Sequence, residues 1–324
     1  MRTRCSAVLL ALVLATQACG QAEPPPAPAP SLPADWPTQH GTAVREVPMP
    51  AGQLLGYLPE LTAGHVLCTA PTPQDWRAAM RGEVRTEVFL TDQCHVVSAR
   101  FELTARLTSD LVTGADTVAG RRARVDRQER ASDLDVELVT EEVARPYRGL
   151  RPTLSVTVKL REQSARDEQG ETGQIAKEAA EAVLRRAGAA GPELPRLNEK
   201  GELAAVTPQS PLPGFGVADQ PLPVAAQQLC LILGEAFRVD PALGTAEPHG
   251  VCAIPLRAGR VVATMTQAGR DRPYQGTVAG QPVTREGEDQ VWIGLREGSA
   301  QQVHLAGPVP EDVLAAVIPR LAGR

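Results

Sequence analysis

Between Val97 and Thr108 apolar and polar residues alternate without a break: Val97, Ala99, Phe101, Leu103, Ala105 and Leu107 against Ser98, Arg100, Glu102, Thr104, Arg106 and Thr108. A period of two predicts a long strand with one wet face, the pattern of an antiparallel sheet covered on one side only. Shorter alternations at Leu134, Val136 and Leu138, and at Leu154, Val156, Val158 and Leu160, predict two more strands. The period then lengthens. Ala176, Ala179, Ala180, Val183, Leu184 and Ala187 recur at helical spacing, with Lys177, Glu178, Glu181, Arg185 and Arg186 opposite and Gly188 placed to stop the helix. This helix is the natural cover for the sheet's apolar side. A shorter one is predicted at Thr72-Pro73-Gln74-Asp75, where an N-cap hydroxyl, a first-turn proline and an acid at N3 precede Trp76, Ala79 and Met80.

The second half of the chain repeats the order of parts. Leu67-Cys68, Cys94 and Val118-Ala119-Gly120-Arg121 are answered by Leu229-Cys230, Cys252 and Val278-Ala279-Gly280-Gln281. The offset is about 160 residues, a domain and not a solenoid repeat. A helix is predicted from Pro223 through Leu229, Ile232, Leu233 and Ala236, and strands at Val261–Thr266, Val291–Leu295 and Gln302–Leu305. A closing helix carries Val313, Leu314, Val317, Ile318 and Leu321. One mismatch stands: Cys230 falls inside its predicted helix, whereas Cys68 precedes the helix at Thr72. The reading is α+β, with two tandem related domains, each an antiparallel sheet packed against helices. Its boundaries are a signal peptide at 1–18, a Pro/Ala-rich tether at 19–50, a first repeat at 51–190, a Pro/Gly-rich linker at 191–222 and a second repeat at 223–324.

The leader is read from charge and length. Arg2 and Arg4 precede an apolar run from Ala7 to Ala15 that is too short to span a bilayer, and Thr16-Gln17-Ala18 puts small residues where a signal peptidase cuts. Cys5 leaves with the leader, four cysteines divide between the repeats, and Cys19 remains at the first mature position, the place of a lipid attachment site. Thr16 and Gln17 depart from the Leu and small residue usual in such signals, so ordinary cleavage and free secretion is the alternative. The tether's prolines favour extended conformations, and Trp36 within it is expected to dock on the first domain. The expected location is the surface of the cell membrane, reached by export and held by the lipid anchor, with a secreted or periplasmic protein as the alternative.

Composition excludes more than it assigns. A net charge of -5 with 22% charged residues points away from nucleic acid, and 3% aromatic residues leave few stacking surfaces for bases or sugars. In an oxidising compartment the simplest pairing is Cys68 with Cys94 and Cys230 with Cys252, each closing a loop that stabilises its domain by about 3 to 4 kcal/mol. Four cysteines allow three connectivities, and the repeat favours this one. A zinc site would enlist His95 beside Cys94 and His249 beside Cys252, but no CxxC spacing supports it. Arg121, Arg122 and Arg124 after the first Val-Ala-Gly turn are candidates for contact with an anionic surface, against the plainer reading of a solvated strand. No nucleophile elbow, HExxH or phosphate-binding glycine loop occurs, and His40, His65, His95, His249 and His304 stand in no catalytic pattern. No cofactor or catalytic residue is expected, with a hydrolase whose site is assembled only in three dimensions as the remaining alternative.

The signal, the tether, the Leu-Cys near a helix, the second Cys and the Val-x-Gly turn together resemble uncharacterised cell-envelope lipoproteins of high-GC Gram-positive bacteria, a family of unknown function. The resemblance runs through Cys68, Cys94 and Gly120 and again through Cys230, Cys252 and Gly280. The disulfide-bearing α+β sensor domains of bacterial Ser/Thr kinases are similar too, without a kinase segment here. The resemblance implies a surface location and a non-enzymatic role. The role expected of such an architecture is binding or sensing, of a small or lipidic ligand in a cleft between sheet and helix or of an envelope protein partner.

Overall fold

The computed structural model describes residues 41–50, 52–162, 166–167, 170–187, 193–207, 210–257, 259–267, 274–296 and 300–324. The expected signal peptide, Cys19 and Trp36 lie outside them.

The first unit begins with α1 (Glu60–Thr69) and α2 (Pro73–Ala79). Seven strands follow: β1 (Arg85–Phe89), β2 (Gln93–Val97), β3 (Phe101–Thr108), β4 (Asp116–Val118), β5 (Arg121–Arg127), β6 (Ala131–Glu137) and, after the one-turn α3 (Glu141–Ala144), β7 (Thr153–Leu160). The closing helix is α4 (Glu171–Arg186). All neighbours are antiparallel, in the order β1-β2-β3-β7-β6-β5-β4. The second unit runs α5 (Leu222–Phe237), β8 (Thr245–Glu247), β9 (Val251–Leu256), β10 (Gly259–Gln267), β11 (Gly276–Val278), β12 (Gln281–Arg285), β13 (Gln290–Gly294), β14 (Gln301–Ala306) and α6 (Glu311–Leu321). Its order, β8-β9-β10-β14-β13-β12-β11, is the first sheet's order strand for strand. The chain is α+β, with two antiparallel seven-stranded sheets.

Helical and strand periods meet in the two cores. Leu103, Ala105, Leu134, Val156 and Val158 line the inner face of the first sheet beneath Ile175, Ala179 and Val183 of α4. Ile254, Ala263, Ile293, Val303 and Leu305 lie with Leu229, Ile232 and Leu233 of α5 and Leu314, Val317 and Ile318 of α6. Burying each Leu, Ile or Val contributes about 1.5 to 3 kcal/mol. The α2 terminus is capped as expected: Asp75 N donates to Thr72 Oγ1 at 3.1 Å and Thr72 N donates to Asp75 Oδ2 at 2.8 Å.

The structure corrects the long strand. The chain reverses at 98–100, where Ser98 N donates to Phe101 O at 2.9 Å and Phe101 N donates to Ser98 Oγ at 3.1 Å. Val97 therefore closes β2 opposite Glu102, on the other sheet face from Phe101. A tight turn built from Ser, Ala and Arg leaves the alternation of residue types intact, so periodicity alone runs through it. A second correction concerns α1. Every residue from Thr62 to Cys68 is buried, so this helix has no polar stripe to mark it. Gly64 allows it to lie on the sheet, since a Cβ there would stand 2.7 Å from Val88 and 3.1 Å from Gln93 O. Cys68 and Cys230 thus both sit in helices, and the mismatch between the halves disappears.

The tether and linker boundaries also move. Thr42 exchanges backbone hydrogen bonds with Val88 at 2.8 and 2.9 Å, and Val47 is buried, so residues 42–50 pack on the first unit. Within 193–222, Leu194 joins the first core and Leu203 and Val217 the second. Val217 N donates to Leu321 O at 3.0 Å and Leu203 N to Ala246 O at 2.8 Å. Proline and glycine mark irregular backbone here, but that backbone is packed.

Candidate functional site at the junction of the two units

The two units meet around one fully buried carboxylate. Asp219, just before α5, accepts from Arg45 Nη2 at 2.6 Å and Nη1 at 3.1 Å, from Thr62 Oγ1 of α1 at 3.1 Å, and from Arg296 Nη2. Gln301 at the start of β14 donates to Thr62 Oγ1 at 3.0 Å and to Ala218 O at 2.9 Å. The bonds to Asp219 are charge-assisted, and the node draws its groups from both units. Beside them the His65 ring accepts from Arg45 N at 3.3 Å. Burial, with the positive charge of Arg45, holds the His65 pKa down at about 4 against the partial opposition of Asp219, so the ring is neutral near pH 7.

A cavity of about 650 Å³ opens next to this node. Its walls are matching ends of the two units. Glu60 at the start of α1 faces Leu222 at the start of α5, and these helices carry their disulfide cysteines eight residues further on in each case. Cys94 pairs in register with Ala105, as Cys252 does with Ala263, so Leu107 and Met265, each two residues beyond, occupy matching places on the two walls. Asp92 in the β1–β2 turn and His249 in the β8–β9 turn complete the correspondence. The expected cleft between sheet and helix is instead filled by the cores, and the open cleft lies between the units.

The two walls differ in chemistry. The first unit contributes Glu60, Asp92, Arg106, Asp110 and Arg151, while the second contributes Leu222, His249, Met265, Thr266, Gln267 and Gln301. Arg151 is held inward by its backbone: its N–H donates to Gly56 O at 2.9 Å, and a Cβ at residue 56 would meet Arg151 O at 2.8 Å. Its Nη2 donates to Leu58 O. Burial lowers the Arg151 pKa despite the nearby charges of Glu60 and Asp92. Burial raises the Asp92 carboxyl, partly offset by a backbone hydrogen bond and by Arg151. Sequence reasoning missed these residues because they come from turns and strand ends far apart in the chain. The only signal was the repetition itself, which places the same ends side by side.

The residues singled out from sequence are distributed elsewhere. Cys68 and Cys94 are joined at 2.12 Å, and Cys230 and Cys252 at 2.06 Å, each tying a helix to the second strand of its sheet. Disulfides belong to an oxidising, extracytoplasmic setting. No helix of the described residues is long and apolar enough to cross a membrane. Arg122 lies 4.0 Å from Glu137, and Arg124 lies 3.1 Å from Asp135 directly across the β5–β6 ladder. Arg121, on the opposite face, donates to Leu138 O at 2.8 Å. Arg122 and Arg124 thus share a face already striped with acids, a poor platform for a polyanion. His95 points away from its neighbour Cys94, as successive strand residues must. Its two ring nitrogens lie 3.0 Å from Glu87 and 3.0 Å from Glu102, a hydrogen-bonded bridge that leaves no lone pair for zinc. His249 Nε2 lies 3.1 Å from Glu247 at the cleft's rim.

Neither a protein-family model nor a curated protein matches the chain.

Proposed function

We propose that this chain is an exported envelope protein, anchored by lipid on Cys19, that binds a small molecule without transforming it in the cleft between two units descended from a tandem duplication. The cleft carries this reading: about 650 Å³, within the usual span of about 300–1,000 Å³ for small-molecule sites, set at a junction where such sites concentrate. The leader pattern supports export, and the two disulfides agree with it. The common strand order, the matched disulfides and the two Val-Ala-Gly turns support duplication: Ala119 and Gly120 have φ of 50° and 74°, Ala279 and Gly280 of 48° and 76°. A binding role is preferred because the polar groups of the cleft are held by neighbours: Arg151 by Leu58 O, Glu60 by Gln267 and His249 by Glu247.

The test is native mass spectrometry of the mature protein extracted from membranes. A co-purified small molecule, lost when Met265→Trp fills the cleft, is the expected result. A bare protein mass would turn the reading toward a scaffold that presents its surface to an envelope partner. Metabolic labelling with a palmitate analogue tests the anchor, with Cys19→Ser expected to abolish the label.

A further inference from the structure

The asymmetry of the two walls says what the cleft would select. On the first unit's wall, Arg106 and Arg151 face the same space as Glu60, Asp92 and Asp110. Among the described residues no ion pair joins these arginines to these acids, so charge of both signs is left directed at the cleft. Glu60 is steadied by Gln267 across the opening, Nε2 to Oε2 3.2 Å, and Arg151 by the Leu58 carbonyl. On the facing wall half-buried Leu222 and Met265 offer apolar surface, while Leu58, Leu107 and Leu150 lie buried behind the first wall.

Glu60, Asp110 and Arg106 stay open to water, so the selective groups are half-buried Arg151 and Asp92: a ligand bearing only an acid would satisfy Arg151 and cover Asp92 without giving it a partner. One bearing only an amine would do the reverse. An uncharged ligand would strand both. Groups built to pair with a polar ligand reject analogues lacking that polarity far more strongly than an apolar pocket rejects a missing methylene.

We propose that the cleft selects zwitterions of amino-acid to short-peptide size bearing an apolar side chain, the acid group at Arg151 and Arg106, the ammonium at Asp92 and Glu60, and the side chain against Leu222 and Met265. This rests on the reading of the cleft as the binding site. The same pairing of ammonium and acid occurs in zwitterionic lipid headgroups, which lack the adjacent apolar side chain.

The test is titration calorimetry on the detergent-solubilised mature protein with leucyl-leucine, its N-acetyl form, its C-terminal amide and glycerophosphoethanolamine. Leucyl-leucine is expected to bind, and each cap to weaken binding at least tenfold. Asp92→Asn should abolish discrimination against the N-acetyl form, and Arg151→Met discrimination against the amide. Arg106→Gln, at an exposed position, serves if Arg151→Met does not fold. Equal binding of capped and free peptide would overturn the assignment while leaving the cleft as a site. Binding of the glycerophosphodiester alone would overturn the peptide source. No heat with any probe would overturn the assignment outright, and a native mass spectrum without bound small molecule would overturn the cleft reading as well.

Discussion

Replacing Asp219 by alanine removes a carboxylate with no solvent exposure from between two guanidiniums whose side chains are 24% (Arg45) and 32% (Arg296) exposed. Four hydrogen bonds vanish, and two like charges are left facing each other without their counter-ion. Breaking a buried pair by deleting one partner costs about 3–5 kcal/mol. The partial hydration of both arginines places this case at the low end, about 3 kcal/mol. Asp219 belongs to the second unit, while Arg45 and Thr62 belong to the first, so the loss should be felt in both. Trp76, buried in the first core, reports the first unit's unfolding once Trp36 and Trp292 are changed to Phe. In urea, with a slope of about 2 kcal/mol per molar, the Trp76 transition should shift down by roughly 1 to 1.5 M. Arg45→Met should lower it too, and the double variant should lose less than the sum. A Trp76 midpoint unmoved by Asp219→Ala would refute the argument, because it would mean that the node stabilises only the unit that owns the carboxylate.

Stability should respond to pH in two opposed ways. The unfolded chain protonates His65 near 6.5 and the folded chain only near 4, so between these values the unfolded state holds more protons and stability falls as pH drops, by about 3 kcal/mol at most; His65→Asn should flatten this limb in urea midpoints measured from pH 4 to 8. For His95, burial disfavours the imidazolium but Glu102 and Glu87 outweigh it and raise the pKa, so its contribution is present below the unfolded pKa and lost as pH rises through the folded one; His95→Gln should remove that loss on the alkaline side. Opening the disulfides, which close 26- and 22-residue separations, should cost about 3.5 kcal/mol in each unit, read as paired urea curves with and without reductant. Asparagine tolerates positive φ better than alanine, so Ala119→Asn and Ala279→Asn should each raise stability by about 0.5 kcal/mol at these exposed turns, measured by thermal unfolding.

What could be read along the chain was whatever depends on neighbours. The alternation at 154–160, the 3.6-residue stripe from Ala176 to Ala187 and the capping box at Thr72 are local, and each became the predicted element. The cysteine pairing followed from repetition, because two copies of one order make a within-copy bridge the simplest solution. Where a local signal was degenerate, the reading failed. The turn at Ser98 kept the strand's parity, and α1 was buried on every side and so had no face to announce it.

The junction was decided only in three dimensions. Asp219 is one acid among many in the chain, and its burial between Arg45 and Arg296 depends on how residues 42–50 and 193–222 fold back onto the units they connect. The cleft's polar groups come from a helix start, turns and strand ends separated by up to about 240 residues, and no pattern of spacing records such a meeting. Hydrophobic periodicity fixes which face of an element turns inward. Which ends of two finished units then come to rest against each other is settled by packing and charge between surfaces, and those surfaces exist only once the chain has folded.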